Sequence, residues 1–114
     1  MPYYTYSGAL AVSGAVGPVT TVGTTQTISY SLGGLDTACS SGAGTAATSC
    51  GIHIHSGTSC TGNAGGHYYS ASLTSDPWAS VAYTASASGV ATGSVSVATG
   101  LTSSEITGKA FIVH

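Results

Sequence analysis

Apolar and polar residues alternate along several short stretches of the chain, and each stretch ends at residues that are typical of turns. Alternation with a period of two places successive side chains on opposite faces of an extended backbone, and it therefore predicts half-buried β-strands. Turns are predicted at Gly17–Pro18 and over 86–89, where glycine, proline and serine occur. The predicted strands cover residues 4–12, 25–32, 51–55, 81–85, 91–97 and 109–114.

Two segments without this alternation are predicted to be loops. Residues 36–49 are mostly glycine, alanine, serine and threonine, and the second loop runs from 56 through 77. β-branched residues and tyrosine are common and good helix formers are scarce, which favours an all-β chain. About six or seven short strands predict one domain over residues 1–114, folded as an antiparallel β-sandwich.

The charge content of the chain is very low and excludes one class of partner. Charged residues make up 4% of the sequence, with a single lysine (Lys109) and no arginine, against about 25% in an average soluble domain. Nucleic-acid binding requires several lysines or arginines that neutralise phosphates, so this class is excluded. No apolar run approaches the roughly 18 residues of a membrane-spanning segment.

The three cysteines favour an oxidising, extracellular compartment in a small chain of this composition. Cys39 and Cys50 bracket the loop at 36–49, and a disulfide between them would contribute about 3 kcal/mol in the chain-entropy model. A bridge between Cys50 and Cys60 is the alternative. Because the number is odd, one cysteine is unpaired or has its partner outside these residues.

The four histidines are candidate metal ligands. His53 and His55 alternate with two isoleucines, so both imidazoles lie on one face of a strand. His67 follows two glycines in a loop, and His114 ends the last predicted strand. Imidazole suits copper, zinc, nickel and iron, and four nitrogen ligands in a tetragonal arrangement favour Cu(II). The alternative interpretation is that His53 and His55 are ordinary strand residues hydrogen-bonded to serine or tyrosine.

Three motifs, in this order, resemble the copper–zinc superoxide dismutases: GIHIH, a cysteine-containing loop that ends in GGHYY, and GKAFIVH. The resemblance covers roughly residues 27–114 and implies a Greek-key antiparallel β-sandwich or barrel. It also implies that superoxide is the substrate, dismutated to O2 and H2O2. The implied copper ligands are His53, His55, His67 and His114.

The chain departs from the two-metal enzymes after His67, where the segment YYSASLTSDPWASVAY supplies no further histidine. The resemblance is therefore to the copper-only branch, with its extracellular tandem-repeat members, and implies no zinc. Asp76 is then expected to hold the ring of His67, and the two are the predicted catalytic pair. The alternative interpretation of Asp76 is that it caps a turn beside Trp78.

The family's active-site arginine and final strand have no counterpart here. The first difference implies weak dismutase activity or none, and the second implies that Cys60 lacks its family partner. An exposed strand edge would also allow self-association or contact with neighbouring repeats. The alternative function is a non-catalytic extracellular assembly domain with a copper-storing or stabilising site; a metal-free domain that binds glycans or partners is a third.

Overall fold

The computed structural model describes residues 2–42 and 49–114, which form two antiparallel sheets. A three-stranded sheet has the order β1-β2-β4, and a two-stranded sheet pairs β3 with β5. Two short helical segments connect the strands: a 3-10 helix after β2 and α1 before β5. In chain order the elements are β1 (Ser13–Val22), β2 (Thr25–Gly33), the 3-10 helix (Thr37–Ser41), β3 (Ile52–Ile54), β4 (Ala91–Ala98), α1 (Ser103–Ile106) and β5 (Phe111–Val113).

The core lies between the two sheets. Ile28 of β2 and Val97 of β4 pack in one buried cluster with Ile54 of β3 and with Trp78, whose side chain is fully buried. A second cluster joins the same strands further along and includes Ile52 and Tyr83. These contacts bury one face of each sheet against the other, and the all-β prediction is confirmed at this level.

The start of the three-stranded sheet differs from the prediction. Residues 4–12 form no strand, and β1 begins only at Ser13. Gly17–Pro18 is not a turn but lies inside β1, where the register shifts between Val16 and Val19. Proline is tolerated there because β1 is an edge strand and one side of its backbone needs no ladder partner. The β1–β2 turn is instead Gly23 and Thr24, with Gly23 in the left-handed region at φ 62°.

The strands predicted over 25–32 and 91–97 are β2 and β4, and those predicted over 51–55 and 109–114 contain β3 and β5. Residues 81–85 do not form a strand, and only Ala82 bridges, to Gly51. The Val81 N–H donates to the Trp78 carbonyl and the Ala85 N–H to the Cys39 carbonyl, so the pairing with the chain around Gly51 does not continue in either direction. The predicted turn at 86–89 is present, since the Gly89 N–H donates to the Ser86 carbonyl at 2.9 Å.

The predicted loop over 36–49 contains the 3-10 helix, which Asp36 caps by accepting the Ala38 N–H at 2.9 Å. Residues 43–48 of this loop lie outside the described residues. Cys39 and Cys50 form a disulfide, so the alternative bridge between Cys50 and Cys60 is wrong. Cys60 is a free, partly buried thiol. The disulfide is compatible with a secreted protein.

The outer edge of β5 borders a cavity. Within residues 2–42 and 49–114, β5 pairs with β3 alone. A cavity of about 930 Å3 lies between this edge and the N-terminal segment, with Phe111, Val113 and Leu10 among its lining residues. In the same part of the chain, no helix has the length and apolarity needed to cross a membrane.

Candidate metal centre

β3 separates its isoleucines from its histidine by strand geometry alone. Ile52 and Ile54 point into the core between the sheets, and His53 points to the opposite face. Antiparallel pairing sets His53 opposite Ile112 of β5, so these two side chains share that face. His53 is only 1% exposed, which means that its ring must find polar partners inside the protein.

Main-chain hydrogen bonds bring the other three histidines to the same place. His55, just after β3, forms an isolated bridge with His67 of the long loop. His114, just after β5, donates its N–H to the Gly51 carbonyl at 2.8 Å. The two ends of β3 therefore each hold one distant histidine beside the strand.

The four rings form one compact cluster. Ring centroids of His53 lie 4.1 Å from His67 and 5.0 Å from His114, and those of His55 and His67 are 5.2 Å apart. One nitrogen from each ring can be chosen so that all four atoms lie within 4.8 Å of one another. Opposite nitrogens on one metal ion are about 4 Å apart, twice a metal–nitrogen bond of about 2 Å. A contraction of less than about 1 Å would close the cluster on an ion.

Two buried ring nitrogens in the cluster have no hydrogen-bond partner within the described residues: Nδ1 of His53 and Nε2 of His55. The second nitrogen of each ring is bonded, with His53 Nε2 at 3.2 Å from the Val81 carbonyl and His55 Nδ1 at 2.8 Å from the Gly65 carbonyl. A carbonyl only accepts, so these bonds place the proton on the bonded nitrogen and leave a lone pair on the other. Both unpartnered atoms are thus ready to bind a metal ion, and the residues fit such an ion.

Asp76 holds the third ring. Its Oδ2 lies 2.6 Å from Nδ1 of His67, and its Oδ1 accepts the Trp78 N–H at 2.8 Å. The Trp78 indole N–H donates in turn to the Tyr68 carbonyl at 2.8 Å. Asp76 therefore both caps a turn and orients His67, so both interpretations of Asp76 describe contacts that the structure contains. Nε2 of His67 is left for a ligand role.

Burial and mutual repulsion disfavour the charged form of two of the rings, those of His53 and His114. Burial, followed by the positive charges that His67, His114 and His55 would carry, lowers the pKa of His53 from 6.5 to about 4. Burial, with His55 and His67, also lowers the pKa of His114. Neutral imidazole is the form that binds metal ions, so this environment favours ligation at neutral pH.

The sequence did not reveal two neighbours of the cluster. Lys109 donates from Nζ to the carbonyl of Ser56 at 2.9 Å, and this nitrogen lies 4.7 Å from the ring centroid of Tyr68. Ser56 and Tyr68 directly follow two of the clustered histidines. Tyr83 donates its hydroxyl to the carbonyl of His114 at 2.6 Å. Tyr83 belongs to none of the three motifs, and Lys109 lies in GKAFIVH without a role that the motif implies.

Comparisons of the chain with protein-family models, with curated proteins and with solved structures find no match. The chemistry of the site is therefore inferred from its own residues. The structure brings the four predicted histidines together with Asp76, and the cluster could hold a metal ion. The identity of that ion and the catalytic roles of His67 and Asp76 stay predictions.

Proposed function

We propose that the domain binds one copper ion through His53, His55, His67 and His114 and acts as a copper-only superoxide dismutase. The observation that carries this proposal is the pair of buried, unpartnered nitrogens on His53 and His55. Four imidazole ligands without a carboxylate or thiolate among them favour Cu(II) over calcium, magnesium or iron–sulfur chemistry. The sequence resemblance supports the same metal.

Copper bound there would supply one-electron redox chemistry, in which one superoxide is oxidised to O2 and a second is reduced to H2O2 with uptake of two protons. The protein's part is to orient the ligands and supply protons. The Asp76 carboxylate accepts a hydrogen bond from His67 Nδ1 and is 31% exposed, so it connects this ring to solvent. Since Asp76 already occupies Nδ1, His67 has no nitrogen left for a second metal, and zinc is not part of the proposal.

Electrostatic attraction of superoxide is expected to be weak. The formal net charge is −2 and there is no arginine. Lys109 is the one permanently cationic side chain in the sequence, and it lies beside the cluster. Fast dismutases depend on a positive field that raises the rate of encounter. We therefore expect turnover well below the diffusion limit.

A titration of the metal-free protein with Cu(II), followed by electron paramagnetic resonance, tests the site. We expect one copper per chain and nitrogen hyperfine splitting, with the splitting pattern changed in a His53→Ala variant. Dismutation is then measured against an equal concentration of free aqueous copper. Activity no greater than that of free copper would reject the catalytic proposal, and an unchanged spectrum in His53→Ala would reject the site itself.

Self-association with a copper-storing or stabilising site is a second candidate function. Within the described ranges one edge of β5, beside the 930 Å3 cavity, has no paired strand; this favours self-association, because such an edge can accept a further strand. Apolar side chains at Tyr4, Tyr6 and Leu10 are also 44–51% exposed. Light scattering at rising concentration, with and without copper, tests this function. A monomer at every concentration would reject it.

A further inference from the structure

His114 is held differently from the other three histidines. His114 is exposed as a whole residue although its ring packs against those of His53 and His55, and this ring makes no hydrogen bond to residues 2–42 or 49–113. Both of its main-chain groups are bonded instead. The N–H donates to the Gly51 carbonyl at 2.8 Å, and the carbonyl accepts the Tyr83 hydroxyl at 2.6 Å. The place of this ring therefore depends on the main chain that carries it.

Tyr83 is well suited to hold that main chain. Its side chain is 2% exposed, and its own N–H donates to the Cys50 carbonyl at 2.9 Å. The Sγ of Cys39 lies 3.5 Å from the Tyr83 hydroxyl oxygen. Burial, with a smaller contribution from the charge of Asp36, raises the pKa of Tyr83. The hydroxyl therefore stays protonated and remains a donor.

The Cys39–Cys50 disulfide lies next to Gly51, the residue that binds the N–H of His114. Cys50 lies in the left-handed region at φ 57°, the one non-glycine residue with positive φ in the described ranges. This conformation is unfavourable for a residue with a β-carbon, so the surrounding structure must enforce it. The bond to Cys39 is one such constraint. Gly51, which accepts the N–H of His114, directly follows Cys50, so the disulfide, Tyr83 and Gly51 surround the backbone of one ligand.

We propose that Tyr83 and the Cys39–Cys50 disulfide are positioning residues that set the place of His114 in the metal centre. The proposal rests on the metal site proposed above. His53, His55 and His67 keep their own ring hydrogen bonds when Tyr83 is changed, whereas His114 loses one of two main-chain anchors. We therefore expect a change at Tyr83 to displace the ring nitrogen of His114 and not those of the other three histidines.

The test compares Cu(II)-loaded wild-type protein with Tyr83→Phe, with His114→Ala and with the double variant Cys39→Ser/Cys50→Ser. Tyr30→Phe is the matched control, because no hydrogen bond joins the Tyr30 hydroxyl to residues 2–42 or 49–114. We expect Tyr83→Phe to bind Cu(II) at least about 10-fold more weakly in a competition titration. We also expect its paramagnetic resonance spectrum to move toward that of His114→Ala, with one fewer nitrogen. The double cysteine variant should shift in the same direction, and Tyr30→Phe should match the wild type.

A Tyr83→Phe protein with wild-type affinity and spectrum would overturn the proposal. Circular dichroism tells whether each variant is folded. If Tyr83→Phe is unfolded, the double cysteine variant provides the test, and a wild-type spectrum of that variant also overturns the proposal. If both variants are unfolded, Tyr83 and the disulfide have a role in the core only, and this result counts against the proposal. A wild-type protein without nitrogen hyperfine splitting would instead reject the proposed copper site, so the two failures are distinct.

Discussion

Acid should destabilise the metal-free protein through His53. The pKa of this group is 6.5 in an exposed chain and about 4 in the folded protein, because burial and the neighbouring histidines disfavour the charged ring. A lowered pKa means that the unfolded chain binds the proton more readily. The stabilising contribution is therefore complete above about pH 6.5, and it is lost as the pH falls toward 4.

The size of this effect follows from the two pKa values. Each pKa unit corresponds to about 1.4 kcal/mol, so the full contribution of His53 is about 3 kcal/mol. That is a large share of the 5–15 kcal/mol that stabilises a typical domain. The pKa of His114 is lowered too, so this group acts in the same direction.

Urea unfolding at about pH 8 and about pH 4, with a chelator and with the disulfide intact, measures the loss directly. We expect the free energy of unfolding to fall by about 3 kcal/mol more in the wild type than in His53→Gln. Glutamine can still donate to the Val81 carbonyl but does not titrate, so it isolates the proton-binding term. Equal losses in the two proteins would refute the reasoning, because His53 would then titrate alike in both states.

Three further changes test separate parts of the structure. Asp76→Asn should weaken Cu(II) binding by about 10- to 100-fold in a competition titration, since an amide orients His67 less well. Glu105→Gln, on exposed α1, is the control. If Asp76→Asn binds Cu(II) as tightly as the wild type does, the proposed role of Asp76 is contradicted. Trp78→Ala should cost about 3–5 kcal/mol in urea unfolding, because the side chain is fully buried, and a loss below about 1 kcal/mol would contradict that packing. Titration of native, unreduced protein should find one thiol per chain and none in Cys60→Ser, whereas two or more thiols in the wild type would rule out the Cys39–Cys50 bridge.

Some features of the fold and of the site could be predicted because they are local. The alternation around His53 decides which side chains of β3 face the core, since backbone geometry alone sets the period of two. The same argument placed β2 and β4 to within a residue or two. Short separation along the chain favoured a bridge at Cys50 but allowed both Cys39 and Cys60 as its partner, and the structure decides for Cys39.

Other features depended on contacts between distant segments. Residues 4–12 alternate as well as β2 does, but a strand needs a hydrogen-bonding partner, and the partner of β2 is the segment Ser13–Val22. The period of two describes which face of a strand each side chain lies on, and it carries no information about which other strand this strand pairs with.

The amino-acid sequence by itself determined that the fold is all-β and that His53 and His55 share one face of a strand. Only the tertiary structure decided that His67 and His114 meet them, because the bridge from His55 and the hydrogen bond to Gly51 join positions far apart in sequence. The same holds for Tyr83, whose hydroxyl reaches His114 across 31 residues of chain. A hydrogen bond across a core depends on the packing of every element between its ends, and no local pattern encodes it.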